Sequence, residues 1–383
     1  MKKLFIFLFS VLLAFACVLN VAGCTMGSDD DTDGSVLPAD PHEHSFGEWT
    51  VTVPVTCSEA GEEQRTCACG EKETRTVAPL GHNYVDGVCT RCGDRLYPTD
   101  DSYFTFTMLE DGTYSVAWDQ QTKLPANVVI PQEYAGKAVT VVAKSAFYEC
   151  ADLKSLVIPN GVTEIGDYAL NGCGGLESVS IPDSVLSIGG GAFWECESLE
   201  SITIPDSVTK LGNDAFQYCR KLTSAAIGEG ITTVQFFVFS GCESLESVVL
   251  PSGVTQIGLC AFENCRSLRS IALPDQLVRI WSGAFAGCSG LANLSFPDSV
   301  EMIEQEAFED CSALESITLG SGVRTIKNTA FRGCSNLGYA VFANPDGWSV
   351  AGKGDLPQEA LSDPVVAAQY LIDTYMQYDW SRP

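Results

Sequence analysis

Cysteine is the residue type with the most chemistry to offer in this chain, and it occurs in two arrangements. Nine of them, Cys150, Cys173, Cys196, Cys219, Cys242, Cys265, Cys288, Cys311 and Cys334, stand 23 residues apart without an insertion. Four more form two close pairs, Cys67-Ala68-Cys69-Gly70 and Cys89-Thr90-Arg91-Cys92-Gly93. A thiolate can ligate a metal, enter a disulfide or act as a nucleophile. A Cys-x-x-Cys turn brings two thiolates to one zinc at about 2.3 Å, and the glycine behind it permits the tight backbone. Cys67, Cys69, Cys89 and Cys92 would close a tetrahedral structural site. His44, Cys57 and His82, with His42, are additional ligand candidates for a mixed or second site. Disulfides, common in small exported domains, and unliganded thiols are the alternatives. A catalytic zinc is disfavoured, because some fifty residues rarely supply ligands, pocket and base together.

The nine spaced cysteines lead elsewhere. Three residues before each stands Phe147, Leu170, Phe193, Phe216, Phe239, Phe262, Phe285, Phe308 or Phe331, and three after each stands Leu. One residue before that aromatic column is Ala in every unit except Val238. A fixed period of this length marks a solenoid. Aligned positions in stacked coils carry parallel side chains, which disfavours disulfide geometry, and nine is odd. The row therefore reads as buried thiols, an inward seam. Cys260 is separate, at a position where other units hold Ser145, Tyr168, Gly191, Asp214, Gly283, Glu306 and Thr329. That position reads as solvated, so Cys260 is the thiol expected to react most readily.

The elements follow from one unit. Leu199-Glu-Ser-Ile-Thr-Ile204 alternates, putting Ile202 and Ile204 inward and Ser201 and Thr203 outward. Pro205 ends pairing, Asp206-Ser207 turns the chain, and Val208 and Leu211 return to the core. The expectation is one strand and one returning arc per unit, stacked about 4.8 Å apart into a long parallel sheet of about 40 Å. The fold class is a β-rich solenoid, a parallel-sheet superhelix of nine 23-residue repeats over 137–343. Residues 99–136 read as an N-terminal β-hairpin cap, with Glu110-Asp111-Gly112 as its turn. Residues 344–383 read as a C-terminal helical cap. There Asp363 and Pro364 start a helix with Val365, Ala368, Leu371, Ile372 and Tyr375 on one face and Trp380 beside it.

The module Ala-Phe-x-x-Cys-x-x-Leu-x-Ser-Ile-x-Ile-Pro resembles the BspA-like, treponemal-type leucine-rich repeat of bacterial surface proteins. The resemblance spans nine units and weakens at Ala225-Ala-Ile-Gly228 and at Gly338-Tyr-Ala-Val-Phe342. It implies a curved solenoid used for attachment to host matrix, other cells or other microbes. Residues 42–94 resemble the zinc-ribbon-like modules of large bacterial surface proteins. The shared features are His44…Gly47-x-Trp49, Thr56-Cys57, Arg65-Thr66-Cys67, Gly81-His82 and Cys89-x-x-Cys92-Gly93. Lys2 and Lys3 lead into an apolar run over 4–21, and Val21-Ala22-Gly23-Cys24 resembles a bacterial lipobox. This implies removal of 1–23 and acylation of Cys24. An ordinary secretory signal or an uncleaved transmembrane anchor is the alternative. Residues 24–41, rich in Asp, read as a flexible acidic tether.

The formal charge of −27 disfavours nucleic acid and anionic lipid as partners. All three histidines lie at 42, 44 and 82, so the solenoid holds no His for a triad or a Cys-His pair. The expectation is a monomeric, non-enzymatic surface lipoprotein that is membrane-anchored through Cys24 and binds a protein or cell-surface ligand. A spacer without a ligand, or a metal-handling lipoprotein using 42–94, are the alternatives. Two surfaces are available to a partner. One is the outward strand face, from Ser178 and Ser180 to Ser316 and Thr318, small and hydroxylated. The other is Phe236, Phe237, Leu259, Cys260 and Trp281, apolar where neighbouring units carry Gly or polar groups, unless these side chains repack into the local core.

Overall fold

The computed structural model describes residues 49–54, 61–67, 72–77, 84–85, 88–89 and 97–383. The chain divides into two units, each treated on its own. In the first, Thr50–Val53, Gly61–Thr66 and Lys72–Val77 form a three-stranded antiparallel sheet. The Arg65 guanidinium lies 4.7 Å over the Trp49 ring and pairs with Glu73 at 2.6 Å. Cys67 is buried. Cys24, His44, Cys57, Cys69, His82 and Cys92 lie outside the described residues, as does the side chain of Cys89.

The second unit is the solenoid, and its coils, with one exception in the first row, carry two short parallel strands rather than the expected one. The first row runs through Ser155–Val157, Ser178–Ser180, Ser201–Thr203, Ser224–Ala226, Ser247–Val249, Asn293–Ser295, Ser316–Leu319 and Tyr339–Phe342. Its inward residues, such as Ile202 and Leu294, are buried, and its Ser and Thr face out as read from the sequence. The second row runs through Glu164–Ile165, Ser187–Ile188, Lys210–Leu211, Thr233–Val234, Gln256–Ile257, Arg279–Ile280, Met302–Ile303 and Thr325–Ile326. Two residues are too few for alternation to show, which is why this row escapes sequence reading.

The long continuous sheet is also corrected. The first row splits into three three-stranded sheets, and the coil at 270–272 forms no strand. The second row breaks between Lys210–Leu211 and Thr233–Val234. Gly212 still donates its N–H to the Ile188 carbonyl at 2.8 Å, and Gly258 donates to Val234 at 2.8 Å. In the intervening unit Gln235 replaces that glycine.

Polar ladders lock coil to coil. On the arc, Phe193, Phe216 and Phe239 donate their N–H to the carbonyls of Ala215, Val238 and Ala261 in the following unit at 2.8, 2.9 and 2.8 Å. In the turn, Ser207 Oγ donates to the Val185 carbonyl at 2.8 Å, while the Asp206 carboxylate accepts the Glu229 N–H at 2.9 Å. The Asp-Ser pair thus ties one coil to both neighbours. Inside, the rings of Phe193, Phe216, Phe239, Phe262, Phe285, Phe308 and Phe331 stack at 5.0–5.5 Å and 5–10°.

Two columns in every unit are left-handed, five residues and one residue before the cysteine. In the second column a long side chain leans over a glycine of the following unit, as Tyr218 does over Gly241 and Asn264 over Gly287. A methyl group on Gly241, at φ +74°, would overlap the Tyr218 ring. Gly241→Ala should therefore destabilise by about 1–3 kcal/mol. Tyr218→Gly in the same chain, compatible with φ 58° there, should recover the share due to the ring overlap in a urea-unfolding cycle, leaving the left-handed backbone cost at 241.

At the N-terminal end Phe104–Met108 pairs antiparallel with Tyr114–Trp118 as expected, with Gly112 at φ 82° in the turn. Asn127–Val129 stacks in register on Ser155–Val157, so the cap supplies an extra coil beyond the nine counted from cysteines. Lys137–Val142 links the hairpin to the second row.

The C-terminal cap is less helical than expected. Its helices are Gln358–Ser362 and Pro364–Gln369, followed by a wide turn at Tyr370–Thr374. The Asp363 carboxylate accepts the N–H groups of Val365 and Val366, as an N-cap should. Ala368 and Leu371 are buried, but Val365 is 59% exposed, so it is not part of the packed face. The helices pack on Tyr339–Phe342, while Trp380–Ser381 pairs antiparallel with both Thr325–Ile326 and Ser349–Val350 and so covers the open edge of the second row. Trp348 and Trp380 are fully buried against Phe342, at ring distances of 5.5 and 6.2 Å.

Candidate functional site

The cysteine column makes a second polar ladder inside the core. Each thiol from Cys173 to Cys334 donates to the carbonyl of the residue 26 earlier in the chain. Cys219 Sγ reaches Phe193 O at 3.3 Å and Cys242 Sγ reaches Phe216 O at 3.2 Å. That carbonyl also accepts its own unit's Cys N–H, as Phe216 does from Cys219 at 3.3 Å. Cysteine fits here as a small hydrophobe with a weak donor. Burial pushes the Cys196, Cys219, Cys242 and Cys265 thiols well above the ordinary range. A sealed, protonated thiol is neither nucleophile nor metal ligand. Among the described residues no three His, Cys, Asp or Glu side chains group to hold a metal.

Cys260 is half-buried rather than solvated, its sulfur leaning over Gly283. Burial first, then the carboxylates of Glu263 and Glu306, push its thiol up to about 12. Its environment works against the reactivity expected from sequence.

Of the predicted apolar residues, the structure brings Phe236 and Trp281 into contact. Phe236 and Trp281, two units apart, meet edge to face with centroids 6.0 Å apart at 62°. Contact over that span needs a gap, and Gly258 provides it: a methyl group there would lie 2.7 Å from Phe236 Cδ1. Trp281 is held from two sides. Its Nε1 donates to Gln256 Oε1 at 3.0 Å, and the Arg279 guanidinium lies 3.9 Å over its ring. Arg279 is itself fixed by Glu304, with Nε to Oε1 at 3.0 Å. The indole therefore presents a pre-organised, half-buried face. Phe237 stands in the left-handed region at φ 57°, costly for a bulky side chain. Leu259 and Cys260, also half-buried, lie between the two in sequence.

The outward strand face carries short hydroxyl contacts, with Ser155 Oγ and Ser316 Oγ donating to the side-chain oxygens of Asn127 and Asn293 at 2.7 and 2.6 Å. Its large exposed side chains are Val249 and Tyr339. Sequence reading missed a second group, the aromatics of the first four cysteine-marked units. Tyr148, Tyr168 and Tyr218 are 43%, 38% and 36% exposed. Their signal was present as aromatics one, two or five residues before the cysteine, at positions where later units carry Gly, Asn, Asp or Glu as well.

A family model described as the BspA type leucine rich repeat region matches residues 140–269 and 260–345, in six copies. The chain belongs to the BspA-type leucine-rich-repeat family. This BspA-type chain is also similar to solved structures. A leucine-rich repeat protein from Bacteroides ovatus is 29% identical, with 64% of this chain and 70% of that chain covered and a TM-score of 0.50. A leucine-rich repeat protein from Eubacterium ventriosum is 26% identical over 48% of this chain and 58% of that chain, with a TM-score of 0.41. A leucine rich cell surface protein from Faecalibacterium prausnitzii is 21% identical over 66% of this chain and 96% of that chain, with a TM-score of 0.34. No curated protein matches the BspA-type chain. Among its described residues no helix is long and apolar enough to cross a membrane.

Proposed function

We propose that the chain is an exported, non-enzymatic lipoprotein, anchored through acylated Cys24, that presents its solenoid at the cell surface to bind a protein or cell-surface ligand. Membership of the BspA-type family and the lipobox-like Val21-Ala22-Gly23-Cys24 support the setting. The observation that carries the binding role is the Phe236–Trp281 pair. On the flank of coils that otherwise repeat, it holds two large rings half-open and locks one of them with Arg279 and Gln256. Phe237, Leu259 and Cys260 extend this surface.

The test uses the full chain and a panel of matrix proteins, mucin and bacterial cells. At least one partner should bind saturably, and Phe237→Gly with Trp281→Ser should weaken it about tenfold or more at unchanged melting temperature. Unchanged affinity for every saturable partner would reject this surface. The second reading, a spacer without a ligand, draws on the small hydroxylated strand face, and absence of any saturable binding would favour it. For residues 42–94 the reading is a structural zinc held by Cys67, Cys69, Cys89 and Cys92, measurable as bound zinc that Cys92→Ser removes.

A further inference from the structure

We propose that the flank of the first four cysteine-marked units is a docking strip for a cationic polypeptide segment. Its Lys or Arg side chains would lie against Tyr148, Tyr168, Trp194 and Tyr218, beside the carboxylates of Glu149 and Glu195. The strip lies in other units than the Phe236–Trp281 pair and does not rest on it.

Two observations carry the proposal. The first is aromatic exposure. Tyr148, Tyr168 and Tyr218 are more than a third exposed, and the half-buried Trp194 ring stands 6.3 Å from Tyr168 at 41°. Rings so tilted form a corner rather than a flat platform, which suits a cation approached from two sides. The backbone holds them in place. Tyr168 donates its N–H to Gly190 O at 2.9 Å, and Gly172 donates to Trp194 O at 2.8 Å.

Charge is the second observation. The arc segments 143–149, 166–172, 189–195 and 212–218 carry Glu149, Asp167, Glu195 and Asp214 against the single base Lys144. Glu149 first, then burial and Glu195, hold the Tyr148 phenol above its ordinary range. Arg220, paired to Glu197 at 3.7 Å, already lies 5.9 Å from the Tyr218 ring, the kind of contact an incoming cation would make. The chain as a whole, at −27, attracts basic segments and repels anionic ones.

The test titrates the full chain with a labelled peptide of alternating Arg and Ser, at about 150 mM salt, with a Gln-for-Arg peptide and neutral oligosaccharides alongside. Tyr168→Gly, which suits φ 56°, should raise Kd about tenfold, while Tyr168→Phe should leave it within about twofold. Glu149→Gln with Glu195→Gln should weaken binding at least as much and flatten its salt dependence. Removing two exposed carboxylates elsewhere, by Glu246→Gln with Glu315→Gln, should change Kd less than about twofold. Melting temperatures show that each variant is folded. Equal weakening by the distant pair would assign binding to diffuse charge and overturn the strip. So would wild-type affinity in Tyr168→Gly, or a chain that binds neutral oligosaccharide but not the Arg peptide.

Discussion

Raising the pH through 9 is expected to unfold the solenoid cooperatively. Six column thiols are held above their ordinary value of 9.0 in the folded chain. The cause is burial first in Cys196, Cys219, Cys242 and Cys265, and the neighbouring thiol first, then burial, in Cys173 and Cys311. In the unfolded chain they ionise normally. Above pH 9 the unfolded state therefore binds fewer protons than the folded one, so stability falls as pH rises. Each fully sealed thiol contributes about 1.4 kcal/mol of loss per pH unit. A domain stable by about 5–15 kcal/mol cannot withstand six such terms for more than one or two units. Circular dichroism and thiolate absorbance, followed together from pH 7 to 11, should change in one step, and neutralisation should restore both. Cys242→Ala should make the step less steep. Gradual thiolate absorbance with intact dichroism would mean that the column is open to solvent.

Phe262→Ala is expected to cost about 3–5 kcal/mol. Its ring lies 5.5 Å from Phe239 and 5.2 Å from Phe285, fully buried, so truncation opens a cavity between two rings that are fixed by their own ladders. Phe262→Leu should cost less, because Leu170 fills the same column two units from Phe216. Each coil touches only its neighbours, so the loss should be local. Hydrogen exchange should accelerate first around 239–288, with protection kept at the N-terminal hairpin. A uniform rise in exchange along the chain would show that the coils do not behave as nearest-neighbour units.

Much of this was legible because a 23-residue period turns sequence columns into spatial ones. The Phe stack, the inward thiols and the outward Ser row lie where the period puts them. What escaped depends on contacts that no column displays. The second strand row is two residues per coil. The left-handed columns mix Gly with Glu, Tyr, Asn and Asp, so no single residue type marks them. The meeting of Phe236 and Trp281 passes over the glycine of a third unit. Trp380–Ser381 closes the edge from about fifty residues away in sequence, where a helix was the stronger local signal. Cys260 was misread as solvated because its usual column neighbours are polar or glycine, whereas its own sulfur rests on Gly283.

The assignment of function to surface residues turns on the cysteine column being core. Alkylation of the folded full chain with iodoacetamide, read by mass spectrometry peptide by peptide, tests this most directly. The predicted result is no label on Cys150, Cys173, Cys196, Cys219, Cys242, Cys265, Cys288, Cys311 or Cys334 at pH 8. Cys260, held up to about 12, should label slowly and about tenfold faster per added pH unit while the chain stays folded, and all ten should label in urea. Rapid labelling of any column cysteine in the folded chain, or its recovery in a disulfide, would contradict the core assignment and return the row to chemistry.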